Sequence, residues 1–295
     1  MHKSGFVNII GRPNVGKSTL MNALVGERMS IITNKPQTTR HRIIGIVSGD
    51  DYQVVFSDTP GIIRDPSYKM HEAMNRFVDG TFKDGDLMLF MTDMTETYEA
   101  DDPIFEKLKN ADAPVFLLIN KTDLAKPEEV LRLIQKWDNR FKFNEIFPIS
   151  ALKKHNTDRL FDLILKNMPE GPVYYPKDQL TDKPERFFVS EIIREKILLH
   201  YQQEIPYSCE VIVDTFKEDE NKPLVRIHAT IYVIRKTQKS IIIGKNGESI
   251  KRIGIEARKD IEAFIEQQVF LELFVKVRDN WRDDDKALKR FGYNN

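Results

Sequence analysis

The sequence predicts two domains in one chain, an α/β domain with a mostly parallel sheet followed by a smaller α+β domain. Three observations predict it. Short apolar runs alternate with helical periodicity from Phe6 to Asn167. A Gly-rich loop, Gly11-Arg12-Pro13-Asn14-Val15-Gly16-Lys17-Ser18, sits between the first apolar run and the first helical stretch. A proline-rich break, Pro169–Pro184, precedes a region whose strands alternate apolar and polar residues. At 295 residues the chain is long enough for two cores. The expected division is 1–172, a linker at 173–185, and 186–295.

Composition narrows the classes. Lys+Arg and Asp+Glu each number 45, so the chain is neutral and not basic throughout, although a local basic patch remains open. The single cysteine, Cys209, allows no internal disulfide and no cysteine metal cluster. A reduced, cytoplasmic setting is expected. The loop at Gly11 leaves no room for a signal peptide before it. No apolar run approaches the ~20 residues needed to cross a bilayer.

In the first domain, Phe6–Ile10 is apolar enough for a buried strand and Ser18–Val25 reads as the helix after the loop. The polar, turn-rich stretch Gly26–Arg42 follows. Ile43–Val47 and Tyr52–Phe56 read as a hairpin about Ser48–Asp51, running on into Asp58-Thr59-Pro60-Gly61. Leu87–Met91 and Val115–Ile119 are fully apolar strands, and Ile146–Ile149 is the last. Helices are expected at Lys69–Phe82, Asp102–Asn110, Glu128–Asp138 and Thr157–Asn167. Strands apolar on both faces imply a parallel sheet covered on both sides. Ligands of such sheets bind at the carboxyl ends of the strands, where Asp58, Asn120 and Ser150 fall.

The loop Gly11–Ser18 fits G-x-x-x-x-G-K-[ST], which cradles phosphates. Its glycines let successive N–H groups face phosphate oxygens, and the helix start carrying Thr19 adds a favourable dipole. Lys17 would reach the β- and γ-phosphates, and the Ser18 hydroxyl would bind Mg²⁺. Asp58 would hold the same Mg²⁺, and the Gly61 N–H would sense the γ-phosphate, with Thr59 and Pro60 shaping the turn. Asn120-Lys121-Thr122-Asp123 fits N-K-x-D. Asp123 can accept from guanine N1–H and N2–H₂, a donor pair that adenine lacks. Asn120 would bond across to the phosphate loop, Lys121 would cover the base, and Ser150-Ala151, with Leu152 beside them, would offer N–H groups to guanine O6. GTP and GDP are the expected ligands.

These residues resemble the translation-factor-related GTPases that read G-x-P-N-V-G-K-S, a group of P-loop GTPases. Gln37-Thr38-Thr39-Arg40-His41 resembles their first switch, which implies Thr39, over Thr38, as the threonine that reaches Mg²⁺. Lys17, Thr39 and Gly61 are then the groups that act in hydrolysis. Ile62 stands where Ras-type enzymes place a water-orienting glutamine and has no polar atom, so slow intrinsic turnover is expected. Several resembling families use a K⁺ ion held partly by the asparagine matching Asn14. Asn14 therefore has two readings, a K⁺ ligand and a loop-capping residue.

The second domain opens with amphipathic periodicity over Phe187–Tyr201. Ser208–Phe216 and Leu224–Ile234 alternate as paired strands about a charged turn, Lys217–Lys222. Ser240–Ile253 then carries Ile241-Ile242-Ile243-Gly244-Lys245-Asn246-Gly247, before a helix over Gly254–Glu266 and a strand over Val269–Val277. The order is α-β-β-α-α-β. The I-I-G-K-N-G-x-x-I-K-x-I stretch resembles the KH RNA-binding motif, and the element order is that of its bacterial type, type II. Gly244 and Gly247 would let an RNA backbone approach, with Lys245 and Asn246 at the phosphates and the groove of Ile241–Ile243 holding bases. Arg235–Lys259 holds eight basic residues, Lys251, Arg252 and Arg258 among them, against two acidic ones. Cys209 and Trp281 read as core residues, Asp283–Asp285 as a helix cap, and His155 and His200 show no ligand spacing.

The two domains in this order resemble the Era family of bacterial ribosome-assembly GTPases across nearly the whole chain. Ser190–Lys196 and Gly254–Asp260 are also similar to that family's sequence. The resemblance implies binding to the 3′ end of 16S ribosomal RNA in the 30S subunit, by a monomer, and leaves room for peripheral contact with the inner face of the membrane. The expected mechanism is a switch in which GTP and Mg²⁺ order the loops at Thr39 and Gly61, and that order, through the KH domain, sets RNA affinity until hydrolysis releases the protein. Two rivals remain: a GTPase whose KH-like domain binds protein, against which Gly244 and Gly247 speak, and an RNA-binding protein with a silent nucleotide fold, against which Lys17, Asp58 and Asp123 speak.

Overall fold

The computed structural model describes residues 1–99, 101–219 and 223–293. It divides into two compact units. The first comprises Met1–Pro66 and Glu72–Asp182, and the second Ser67–His71 with the described residues from Lys183 onward.

The first unit carries β1 (Lys3–Gly11), α1 (Lys17–Val25), β2 (Ile43–Ser48), β3 (Tyr52–Asp58), α2 (Lys69–Thr81, whose first residues fall in the other unit), β4 (Leu87–Asp93), α3 (Pro103–Lys109), β5 (Val115–Asn120), α4 (Pro127–Asp138), β6 (Glu145–Pro148) and α5 (Thr157–Asn167). The strand order is β2-β3-β1-β4-β5-β6. Only β2 runs antiparallel, hairpinned to β3. The double-sided apolar pattern follows from the two-residue period of a strand. Along β4, Leu87, Leu89 and Met91 pack with Leu20 of α1 and Leu160 and Ile164 of α5. Met88 and Phe90 face the other way, against Val78 of α2, Phe105 of α3 and Trp137 of α4. The carboxyl ends of β1, β3, β4 and β5 therefore open on one edge, between two helical layers.

The second unit carries α6 (Glu185–His200), α7 (Ile205–Ser208), β7 (Glu210–Glu218), β8 (Leu224–Val233), α8 (Lys236–Ile243), α9 (Glu248–Ile265), β9 (Gln268–Val277) and α10 (Asp285–Arg290). Its sheet order is β7-β8-β9, antiparallel then parallel. The inward residues Ile227, Ala229 and Ile231 of β8 pack with Ile193 and Ile197 of α6 and Ala257 and Ile261 of α9. Trp281 is fully buried, its indole N–H donating to the Ser208 carbonyl at 3.0 Å, and Asp284 caps α10 through the Ala287 N–H at 3.0 Å. Cys209 is buried, and His200 pairs with Glu256 at 2.7 Å.

Three features differ from the sequence reading. Helix α9 starts at Glu248, not near Gly254, because Gly247 takes the left-handed cap (φ 78°) directly before it. Gly254 stays inside the helix, where a Cβ would lie at ordinary contact distance, 3.6 Å, from Leu273. The short helix α7 was not anticipated. The proline-rich stretch is no free spacer as far as Leu180. The Gln53 side chain accepts from the Tyr174 and Tyr175 N–H groups at 2.8 and 2.9 Å and donates to the Tyr175 carbonyl, and the Ile46 N–H donates to Leu180 O. Of the charged turn Lys217–Lys222, residues 220–222 lie outside the described residues, as do 294 and 295 at the end of the second expected domain.

Candidate nucleotide site and nucleic-acid groove

The strand ends surround a cavity of about 530 Å³. Two glycines of the phosphate loop are demanded by geometry. A Cβ on Gly11 (φ 153°) would stand 2.3 Å from the Met91 carbonyl oxygen, and one on Gly16 (φ 101°) would stand 2.3 Å from Asn120 Nδ2. Pro13, Asn14, Gly16, Lys17, Ser18 and Thr19 line the cavity. Val15 is fully buried instead. Arg12 turns its side chain away, donating to Thr97 O at 2.7 Å and pairing with Asp102 at 2.7 Å. Lys17 Nζ donates to the Gly11 and Arg12 carbonyls at 3.1 and 2.9 Å. Burial lowers its ammonium to about 8, opposed by the charges of Asp58 and Glu96. Triphosphate charge in the cavity would raise it again.

Behind the loop lies Asp58, fully buried at the end of β3. Its Oδ2 accepts from Ser18 Oγ at 2.7 Å, Ser30 Oγ at 2.9 Å and Thr39 Oγ1 at 3.4 Å. Its Oδ1 is buried with no hydrogen-bond partner among the described residues. Burial raises this carboxyl's pKa, against the pull of Lys17 and the three hydroxyls. An orphaned carboxylate oxygen beside Ser18 and Thr39, themselves 2.8 Å apart, is the hard-oxygen set that suits Mg²⁺, which takes one or two carboxylates plus substrate phosphates. No larger group of three His, Cys, Asp or Glu side chains placed for a metal occurs among the described residues. Thr39 and Thr38 part company here. Thr38 Oγ1 lies 2.7 Å from Lys35 O and 2.6 Å from Thr33 Oγ1, inside its own loop. The Ser30 contact went unread in the sequence, where nothing marks that serine except its place before the first switch. Asn22 of α1 holds it there, accepting the Met29 and Ser30 N–H groups at 2.9 Å.

At the base end, Asn120 joins three segments. Its Nδ2 donates to Val15 O at 2.8 Å and its Oδ1 accepts the Ala151 N–H at 2.9 Å. Asp123 lines the cavity and accepts from Ser150 Oγ at 2.6 Å. This corrects one expectation. The Ser150 and Ala151 N–H groups are engaged inside the protein, with His155 O and Asn120 Oδ1, so in this structure they fix the loop rather than face O6. Leu152 stands exposed at the cavity. Lys121 pairs with Asp93 at 2.6 Å. Burial alone would raise the Asp93 carboxyl, but hydrogen bonds from Lys121 and Thr95 outweigh it and hold it below its ordinary range. Asp93 was missed, although its place at the carboxyl end of β4 was a signal.

Gly61 lines the cavity and Thr59 Oγ1 donates to Ile9 O at 2.9 Å, bracing the turn at Pro60. Ile62 packs into the apolar layer with Phe90 and Ile104, so its side chain serves the core.

The second unit presents the other candidate site. Gly244 (φ 73°), Asn246 (φ 52°) and Gly247 (φ 78°) form a tight loop between α8 and α9. A Cβ on Gly244 would stand 2.4 Å from Ser249 Oγ, whereas Gly247 faces open space. Lys245 and Asn246 of the loop and Lys251, Arg252 and Arg258 of α9 are exposed. Ile241 is half exposed, but Ile242 is fully buried in the core and Ile243 packs on it. Ile242 is therefore no base contact. The helix period puts it on the inner face. The groove itself, about 530 Å³, runs between α9 and β9 and is lined by Ile250, Lys251, Gly254, Ile255, Arg258 and Leu273. The strand side of that groove was missed, because alternation along β9 does not say which apolar residues stay uncovered.

A phosphate loop, a buried Mg²⁺-type carboxylate and an N-K-x-D loop on one sheet edge, followed by a Gly-x-x-Gly domain, define a GTPase joined to a KH domain. Residues 6–121 match the family model of the 50S ribosome-binding GTPases, and residues 204–282 that of the KH domain. A GTPase Era of Syntrophus aciditrophicus (strain SB) is 50% identical over 295 residues, spanning all of this chain and 96% of that one. A GTPase Era of Clostridium perfringens (strain 13 / Type A) is 47% identical over 294 residues, 99% of each. A crystal structure of Era with MgGDPNP and nucleotides 1506–1542 of 16S ribosomal RNA superposes with a TM-score of 0.94 at 38% identity over the full length of both chains. A single-substitution variant of Aquifex aeolicus Era bound to GDP·AlF4⁻ gives 0.93 at 38% identity, covering 99% of this chain and 100% of that one. The chain belongs to the Era family of GTPases.

Asp123→Asn exchanges two acceptors for one acceptor and one donor. Two charge-assisted bonds at about 1.5–3 kcal/mol each predict a loss of GTP affinity of about 10²–10⁴-fold, with partial recovery for xanthosine triphosphate, whose C2 carbonyl can accept from the new amide. Competition binding of the two nucleotides measures both.

Proposed function

We propose that the chain is a GTP-hydrolysing switch that binds small-subunit ribosomal RNA near its 3′ end and assists assembly of the 30S subunit. The observation that carries this is the presence, in one chain, of a built guanine-nucleotide cavity and a Gly-x-x-Gly loop leading into a helix whose Lys251, Arg258 and Lys259 line an open groove. The relative with MgGDPNP and 16S nucleotides 1506–1542, alike over the whole chain, supports the RNA's identity.

In this reading Lys17 and the loop N–H groups neutralise the phosphates, and the Gly61 N–H meets the γ-phosphate. Ser18, Thr39 and Asp58 would hold Mg²⁺, which when bound would supply charge stabilisation at the β- and γ-oxygens. Asp123 takes the base's two donors while Ser150 holds the carboxylate in place. Because Ile62 is committed to the core, no side chain at that position orients water, and intrinsic turnover is slow. Asn14 lines the cavity in a left-handed conformation (φ 66°), its Nδ2 donating to Asn34 O at 3.1 Å. Its Oδ1 is then the atom left to face a cation, which supports K⁺ as the electrostatic aid. The protein acts as a monomer in this reading. No helix among the described residues is long and apolar enough to cross a membrane, and membrane contact in this reading is peripheral.

Crosslinking in cells, with sequencing of the bound RNA, tests the RNA assignment. Reads should concentrate at the 3′ end of 16S rRNA and disappear in Gly244→Asp/Gly247→Asp while GTP hydrolysis persists. Reads spread over unrelated RNAs, or unaffected by the double substitution, would contradict it. For the cation, hydrolysis in KCl should exceed that in NaCl at equal ionic strength, and Asn14→Ala should erase the difference. Equal rates would remove K⁺ from the mechanism.

A further inference from the structure

The segment after Gly61 is held at three successive positions. Three consecutive residues are each tied to a different element. The Ile62 N–H donates to the Gly11 carbonyl at 3.4 Å. Asn75 of α2 clamps the Ile63 backbone with both ends of its amide, accepting the N–H at 3.1 Å and donating to the carbonyl at 2.8 Å. Arg64 pairs with Asp102, the N-cap of α3.

Asp102 is the joint of this arrangement. Its side chain is 7% exposed, a burial at which a carboxylate must be compensated. One oxygen accepts the Ile104 N–H at 3.1 Å and caps α3. The other takes two guanidinium groups, Arg12 of the phosphate loop at 2.7 Å and Arg64 of the switch segment. Arg12 is anchored independently, by Thr97 O at 2.7 Å and by the Tyr98 ring, whose centroid lies 3.8 Å below its guanidinium. Asp102 therefore transfers a fixed position of the phosphate loop to Arg64. Gly61 sits at the near end of the clamped segment and already touches the loop, since a Cβ there would stand 2.6 Å from Pro13 Cγ.

We propose that Asn75 and the Arg12–Asp102–Arg64 triad are positioning residues that set the Gly61 N–H for the γ-phosphate, so that the discrimination of GTP from GDP depends on them. The inference rests on the GTPase reading above. Its physical content is that the clamp's own bonds hold the turn in the conformation that meets a γ-phosphate, which lowers the ordering cost of that contact. Loosening the clamp should therefore weaken only the ligand that carries a γ-phosphate. GDP, which ends before Gly61, should not register the change. A purely structural role would shift thermal stability and leave the ratio of the two affinities where it was.

The test is equilibrium binding of GDP and of a non-hydrolysable GTP analogue to the full chain carrying Asn75→Ala, Asp102→Asn or Arg64→Gln. Asp102→Asn keeps an acceptor for the Ile104 N–H, and Arg64 is 45% exposed, so its replacement leaves the core untouched. The expected result is an unchanged GDP affinity with a loss of about tenfold for the analogue in each variant. In the double variant Asp102→Asn/Arg64→Gln the loss should be no greater than in either single one, because the two act through one contact. An unchanged analogue-to-GDP ratio in all three single variants, even with a lowered melting temperature, overturns the proposal. Wild-type protein that binds neither nucleotide overturns the GTPase reading, and the clamp with it.

Discussion

The nucleotide cavity depends on one side chain, Asn120. It stands at the end of β5 and fastens two loops that come from opposite ends of the first unit. One is the phosphate loop, through Val15 O, and the other is the loop after β6, through the Ala151 N–H. Its amide lies where a Cβ on Gly16 would have to be, so the second glycine of the phosphate loop is required as much by this contact as by phosphate. Both bonds are buried. Replacing the amide would leave a buried carbonyl and a buried N–H unpaired, at about 1–3 kcal/mol each. The base-recognition carboxylate of Asp123 lies three residues on, so the same anchor that shapes the phosphate end sets the base end.

Around that anchor, three buried carboxylates are compensated in three ways. Asp93 is satisfied by Lys121 and backbone N–H groups and serves structure. Asp102 is satisfied by two arginines and a helix N–H. Of the three, Asp58 alone keeps a buried oxygen without a partner among the described residues. Low dielectric makes such an atom costly unless something binds there. Full compensation at two sites and its lack at the third is what separates scaffolding from a ligand-binding group.

Much of this was legible in the sequence, and the failures have physical reasons. The parallel sheet followed from strands apolar on both faces, and Leu87–Met91 does split its alternate residues between two helical layers. The four nucleotide loops were legible because each motif sits at the end of such a strand. What could not be read was direction within a loop. Ser150 and Ala151 turn their N–H groups inward, Arg12 swings to Asp102, and Ile242 enters the core between Ile241, which stays half exposed, and Ile243, which is only partly buried. Asn75 and Asp102 were invisible because their partners, Ile63 and Arg64, are far from them in the chain and carry no motif. Gly254 misled by looking like a helix boundary, when the left-handed turn that starts α9 belongs to Gly247.

The central claim is that one chain carries two sites and that the nucleotide in the first governs the second. RNA affinity measured with the non-hydrolysable GTP analogue and again with GDP, on the same full-length protein and a 16S 3′-end oligonucleotide, tests it most directly. The account predicts tighter RNA binding in the analogue-bound state. Indistinguishable affinities in the two states would contradict it.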